Sequence, residues 1–471
     1  MVSNSENNKS FSVGCIEVTK RYAKKLGFDT IFNRFKSKGD KLSSLVAALV
    51  SHKLHFSKSI NDASEWSNQP HIRNEFGLSE NVPKTFYRVL ETLGRHDKSI
   101  LTLLQNRLSE LYHFENTDAD MDWSSLVLFG DKAKLGEFGY SRDHRPDKRQ
   151  ITFGVAQYRA PINIPFALSI QSGSVPDKVH FDQTFRRMLK ALNPGSMIVV
   201  DRGANSKEVK QNIRAAGHHF LCPAQLSARV DPLISGFNKT VATIVEDRDG
   251  RKTYCHRYGE GDVHAYLYFS EKLHEDKMRS KRERVERELR DSRALEKRLL
   301  SRRKRKAKKL DLSSIIAEMR MSVQHRLRRI SHDDLVNLIV AKRTSGREGF
   351  FLLKSTRNLT PKEALTHYRS RDSIEKLMDS LKNTIRIKPV RVWTNNAIEG
   401  ALIIGFLAQL ILALMRYEHE TLRKIHPRTL LHSLRNLTLT LEDTGDFCRR
   451  RIISNLDQLN TLVFGITTRA T

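Results

Sequence analysis

Cysteine is scarce: four thiols in 471 residues, at Cys15, Cys222, Cys255 and Cys448. No two form a Cys-x-x-Cys pair, which argues against a zinc module, and so sparse a set suits a reducing compartment. Long apolar runs are missing too. The longest, Ala401 to Met415, is short for a bilayer span, follows Glu399 and contains Gln409, so it reads as a buried helix. The amino terminus, MVSNSENNKS, lacks the apolar stretch of a signal peptide. A cytoplasmic protein without a membrane partner is expected. Acid is the other shortfall. Lys and Arg number 82 against 53 Asp and Glu, a net charge of +29. Such an excess calls for a polyanion, most commonly nucleic acid, bound in a salt-dependent way. Apolar residues make up 39%, enough for a core, and the length suggests two to four domains or subdomains.

The chain opens with helical patterns. LSSLVAALVSHKL and KTFYRVLETLGRHDKSILTLLQNRLSELYHF carry apolar residues at spacings of three and four, with a turn at Asn68-Gln69-Pro70 between them. The character changes near Asp122. WSSLVLF, ITFGVAQY and IPFALSI read as strands, HFDQTFRRMLKAL as an amphipathic helix, and SMIVVD as a buried strand ending on an acid. A helix, SKEVKQNIRAAG, and a strand, HFLCPA, complete an α/β layout. Beyond Ala224, TVATIVEDRDGRKTYCHRY and HAYLYFS read as a small antiparallel sheet, followed by a charged helix from about Glu271 to Lys309. FFLLKS reads as a strand and YRSRDSIEKLMDSLK as a helix. The expected division is 1–115, helical; 116–223 and 346–425, two parts of an α/β core; 224–345, an insertion; and 426–471, a carboxy-terminal tail with a possible role in oligomerisation.

Two acids stand where an α/β sheet puts its chemistry. Asp201 ends a buried strand, facing the crevice at the strands' carboxyl ends. Asp122 directly precedes WSSLVLF and is preferred over its neighbours Asp118, Asp120 and Asp131. Each alone is as well read as a turn or cap former. A third group is more specific. On a continuous α-helix, Tyr368, Arg371, Glu375 and Lys382 fall within about 60° of one another, at roughly 100° per residue. Ile374, Leu377, Met378 and Leu381 take the adjoining, core-facing side. From spacing alone a solvated, salt-bridged stripe is an equal reading. Carboxylates gathered this way would suit phosphodiester chemistry. Two divalent metals about 3.5–4 Å apart can activate a nucleophile and stabilise the leaving oxygen. Mg²⁺ takes oxygen ligands and retains waters, and Mn²⁺ accepts the same donors. Arg and Lys nearby would hold phosphates, and a Tyr would stack on a base.

The spacing Tyr-x2-Arg-x3-Glu-x6-Lys, met by Tyr368, Arg371, Glu375 and Lys382, resembles the Y-R-E-K signature of the insertion-sequence-four type of DDE transposase. FGYSRDHRPDKRQITFGV, IVVDRGANS and RIKPVRVWTNNAIEGALIIGFLAQLILALM resemble further segments of those enzymes, in the right order, across about Ser59 to Tyr417. The resemblance implies an RNase H-like mixed sheet with flanking helices. It implies a β-rich, basic-helical insertion subdomain and an α-helical amino-terminal domain that recognises element ends. It makes Asp122, Asp201 and Glu375 catalytic ligands of two Mg²⁺ or Mn²⁺ ions, and Tyr368, Arg371 and Lys382 DNA contacts. The SRRKRKAKKL stretch, with Arg302, Arg303, Lys304 and Arg305, is a further expected DNA contact. Expected partners are double-stranded DNA, as terminal inverted repeats and as target, and a second copy of the chain on that DNA, at the nucleoid of a prokaryotic cell. The implied activity is cut-and-paste transposition through a hairpin. Some relatives flip a base with a Trp of the insertion. Here Trp66, Trp123 and Trp393 all lie outside it, leaving Tyr254, Tyr266 and Tyr268 as aromatics that could substitute. The rival readings are a nuclease of the same fold that never joins strands, and a non-catalytic DNA-binding repressor.

Overall fold

The computed structural model describes residues 8–56, 58–129, 132–139, 141, 144–201, 203, 205–301, 331–443 and 449–465. Arg302, Arg303, Lys304 and Arg305 lie outside the described residues, as do Asp131 and Cys448. The chain forms two compact units, one from Met1–Cys222 with His367–Thr471, the other from Pro223–Thr366.

The first unit is built on β2 (Ala119–Val127), β3 (Gln150–Tyr158), β4 (Pro165–Ser172), β5 (Met197–Val199) and β6 (His219–Ala224), ordered β4-β3-β2-β5-β6. The strands β2, β3 and β4 pair antiparallel. β5 joins β2 in parallel, and β6 joins β5 in parallel. Three antiparallel strands followed by two parallel ones, with helices flanking, is the RNase H-like arrangement expected from the resemblance. Every residue of β3 is buried, which explains its nearly unbroken apolar run. The Asp177–Met188 helix packs on β3 and β4, where Trp123 donates from Nε1 to the Thr184 hydroxyl over 3.0 Å.

Helices before Asp118 belong to this same unit, as does the long apolar helix Asn395–Glu418. By length and composition that helix could cross a membrane, yet 89% of its most apolar window is buried inside the protein. It crosses the Pro83–Arg95 helix backbone to backbone. A Cβ on Gly94 would lie 1.9 Å from the Asn396 carbonyl oxygen, and one on Gly400 2.1 Å from that of Leu90. Two glycines at facing positions are what allow the approach. The ends of the chain meet in a three-stranded sheet, in which β1 (Lys9–Ser12) and β12 (Arg449–Ser454) flank β11 (Thr438–Asp443). Val13, Leu437 and Leu439 form its apolar floor.

The second unit contains an antiparallel sheet of β7 (Thr243–Arg248), β8 (Arg251–Glu260), β9 (Val263–Ser270) and β10 (Phe350–Ser355), in the order β10-β9-β8-β7. Its core gathers Val230, Ala265, Leu267 and Leu352. The charged helix Glu271–Ser301 lies against His332–Arg343 through Val285, Val336 and Val340. Tyr266 and Tyr268 are fully buried, donating to the carbonyls of Leu359 and Pro361 over 2.8 and 2.7 Å. Neither can serve as an exposed base-flipping wedge.

Candidate active site

Strand register brings two of the three acids together. Ala119 pairs with Ile198 and Asp120 with Val199. Two residues further along each path stand Asp122 and Asp201, and strand alternation puts Asp122 on the face of Asp120. Asp122 therefore does not open its strand; it is the fourth residue of β2. The strand extends upstream through an acid because Asp120 is neutralised there. Its carboxylate is fully buried, 3.6 Å from Nε of Arg159. Burial pushes the Asp120 carboxyl up to about 6, against the pull of Arg159.

The third acid arrives on a broken helix. The Pro361–Arg369 helix ends, the chain turns at Ser370 and Arg371, and a new helix runs Asp372–Asp379, followed by a π-helical turn at Ser380–Thr384. A single helical wheel from Tyr368 to Lys382 is thus incorrect. Its local part holds: Ile374, Leu377, Met378 and Leu381 are buried, and Glu375 is exposed. Arg371 is the cap residue of the new helix. Tyr368 lies half-buried on the preceding helix, and Lys382 is buried in the π turn.

The break is what aims Arg371. Its guanidinium reaches Asp122 at 3.1 Å, Glu375 at 3.2 Å and Asp201 at 3.7 Å. Arg371 is only 7% exposed, whereas Glu375 and Asp201 open to solvent. Burial pulls the guanidinium pKa down, but the carboxylates of Asp122, Asp201 and Glu375 outweigh it and raise it. Two residues absent from the sequence reading anchor the break. Arg159 donates to the carbonyl of His367 and to the hydroxyl of Ser370. Gln157 donates from Nε2 to the Ser373 hydroxyl over 2.7 Å. The chain Asp120, Arg159, Ser370 thereby ties the buried acid of β2 to the turn that carries Arg371. The sequence signal was an arginine directly after a fully buried strand, a charge that must find a buried partner.

Three carboxylates on one guanidinium are an all-oxygen donor set, the kind that suits Mg²⁺ or Mn²⁺. Among the described residues no three His, Cys, Asp or Glu side chains are gathered closely enough to hold an ion, and the cation they share is Arg371. Of the other histidines, His144 is exposed in a left-handed backbone conformation and His218 is buried.

The chain matches the family of the transposase DDE domain over residues 119–411, more than half its length. No curated protein matches it. Among solved structures, the cryo-EM structure of piggyBac transposase synaptic complex with hairpin DNA is 10% identical, covering 92% of this chain and 81% of that chain with a TM-score of 0.42. On the family match, the chain belongs to the DDE-domain transposases.

Proposed function

We propose that the chain is an active transposase that cuts and joins DNA at Asp122, Asp201 and Glu375. The observation that carries the reading is that these acids, from β2, from beyond β5 and from the Asp372–Asp379 helix, all lie within 3.7 Å of one guanidinium. The three carboxylates come from separate elements and converge on one buried guanidinium, with Asp201 and Glu375 open to solvent. The acids are spaced around Arg371 rather than around an ion, so a divalent metal would be held once they close on it. Mg²⁺ or Mn²⁺ bound by these carboxylates would polarise the phosphodiester and favour a nucleophilic water or 3′-hydroxyl.

The protein's own contribution is positioning. Asp122 and Asp201 are fixed by strand register, and Glu375 by the apolar face of its helix. Arg371, held by its turn, is the group a scissile phosphate would meet, since a guanidinium fork matches phosphate oxygens. Tyr368 and Lys382 complete the Y-R-E-K spacing and support assignment to the insertion-sequence-four type. Cut-and-paste transposition, with a dimer bridging two element ends, is the activity this reading implies. The +29 charge supports double-stranded DNA as the substrate.

The test is cleavage of a labelled duplex carrying the element's terminal repeat, with and without Mg²⁺, by wild type and Glu375→Gln. Metal-dependent nicking that disappears in the variant, with duplex binding retained, is expected. Binding without nicking by wild type would instead make the chain a repressor. Nicking without joining of a pre-cut end would make it a nuclease.

A further inference from the structure

A second basic site lies on the segment that follows the catalytic helix. The helix Pro427–Asn436 and residues 383–386 line a cleft of about 640 Å³. Three arginines, Arg386, Arg428 and Arg435, line it with His432, two threonines and Asn383, and no acid is in the lining; the nearest, Asp379, is engaged by the Asn383 amide over 2.6 Å. In a chain holding 53 Asp and Glu, a concave site with three arginines and no carboxylate is a site for an anion.

Its construction supports this. Arg386 has a φ of 55°, the left-handed conformation that glycine adopts freely and arginine does not. The conformation is imposed by the end of the π turn, where the amide of Ile385 donates to Ser380 over 2.8 Å and that of Ile387 to Leu381 over 3.1 Å. At a position where glycine would be cheaper, an arginine side chain calls for a use. The Arg386 carbonyl accepts from Nζ of Lys53 over 2.8 Å, adding a fourth cation behind the cleft. Arg435 is held in place by two bonds to the Leu54 carbonyl, at 2.9 and 2.7 Å. Burial, and after it the Arg386 charge, brings the Lys53 ammonium down to about 8.

We propose that this cleft binds backbone phosphates of duplex DNA, clamping the substrate at a point separate from the reacting acids. The inference rests on the DNA-cutting reading above. Arg428, His432 and Arg435 lie on one face of their helix and span seven residues, about 10 Å at a rise of about 1.5 Å per residue. A strand of B-DNA rises about 3.4 Å per phosphate along its axis, with successive phosphates roughly twice that apart along the backbone, so such a row meets about two consecutive phosphates, whereas a free phosphate ion would engage one end only.

The experiment uses the full chain, with Arg386→Gly, Arg428→Ala and the double variant, and measures affinity for a labelled duplex by anisotropy across a salt series. Arg386→Gly relieves the strained backbone, so its melting temperature should equal or exceed that of wild type. Each single variant should weaken binding about eightfold near 0.1 M salt and reduce the log–log salt slope by about 0.9, on any sequence. Unchanged affinity and slope in the double variant would overturn the clamp while leaving the transposase reading intact. Inorganic phosphate competing fully with the duplex at micromolar concentration would overturn it in favour of a free-anion site. A wild type that binds no duplex would sink both the clamp and the function; metal-dependent nicking by wild type that is lost in Glu375→Gln, with binding unchanged in the double variant, would sink the clamp alone.

Discussion

A buried cation shared by three acids couples their fates. Arg371→Met would remove the buried cation that Asp122, Asp201 and Glu375 share, with Asp122 itself only 17% exposed. Removing one member of a buried charge cluster costs about 3 kcal/mol, less where the remaining acids reach water as Asp201 and Glu375 do. A fall in melting temperature is therefore expected, and added Mg²⁺ should raise the variant's melting temperature more than the wild type's. Equal Mg²⁺ shifts in both proteins would show that the three acids do not act as one site. At this scale the sequence was informative about residue type but not about partner. Asp122 and Asp201 were identifiable from the strands they accompany. What separates Asp122 from Asp120, two residues away on the same face, is Arg159, and nothing in the sequence says that Arg159 folds back onto Asp120 rather than onto DNA.

Elements were legible where periodicity is strong and hidden where two helices abut. Strands β2 to β10 follow the apolar runs read from sequence, and the wheel for Ile374 to Leu381 is correct over that span. It fails at Ser370-Arg371 because no proline or glycine marks the break. The turn is held by Gln157 on β3 and by Arg159 just beyond that strand, a tertiary cause invisible to local pattern. The depth of the Asn395–Glu418 helix was read from its apolar run, but its tight crossing was not, since a glycine inside a helix pattern looks only like a weak point. Gly400→Ala tests the crossing. The added methyl would meet the Leu90 carbonyl at 2.1 Å, backbone that cannot yield without shifting the Pro83–Arg95 helix. On an exposed helix the same change would stabilise by up to about 1 kcal/mol. Here a loss of about 1–3 kcal/mol is expected from overpacking, measured by denaturant unfolding. A stabilised Gly400→Ala protein would mean that the two helices do not meet at these glycines.

On the scale of the molecule, the chain leaves its first unit at Cys222 and returns at His367. Sequence could suggest this excursion because strand patterns of different character follow Ala224, and because the second and third acids are 174 residues apart, Asp201 to Glu375. The return brings Glu375 back to the sheet that carries Asp122 and Asp201, where Arg371 contacts all three. The buried helix after it also sets how the first unit responds to pH. Glu399 lies on the Asn395–Glu418 helix, and burial, with the nearby charge of Asp97, raises its carboxyl from 4.5 to about 7. Unfolded, the group loses its proton near 4.5; folded, it keeps it to about 7. Between these values the folded state binds more protons, so this contribution to stability is complete below about 4.5 and is lost as pH rises to about 7. Other carboxylates run the opposite way; Glu348, bonded to Lys281 despite the cost of burial, is held down at about 2. Comparison with Glu399→Gln cancels them. The stability difference, wild type minus variant, should decline by about 3 kcal/mol between pH 4.5 and 7 and stay flat above, because glutamine remains neutral throughout. A difference that stays constant across that window would mean that Glu399 titrates as an ordinary surface carboxylate and that the helix is hydrated at this point. Declining stability would place the proton inside the fold, on the helix that follows Glu375.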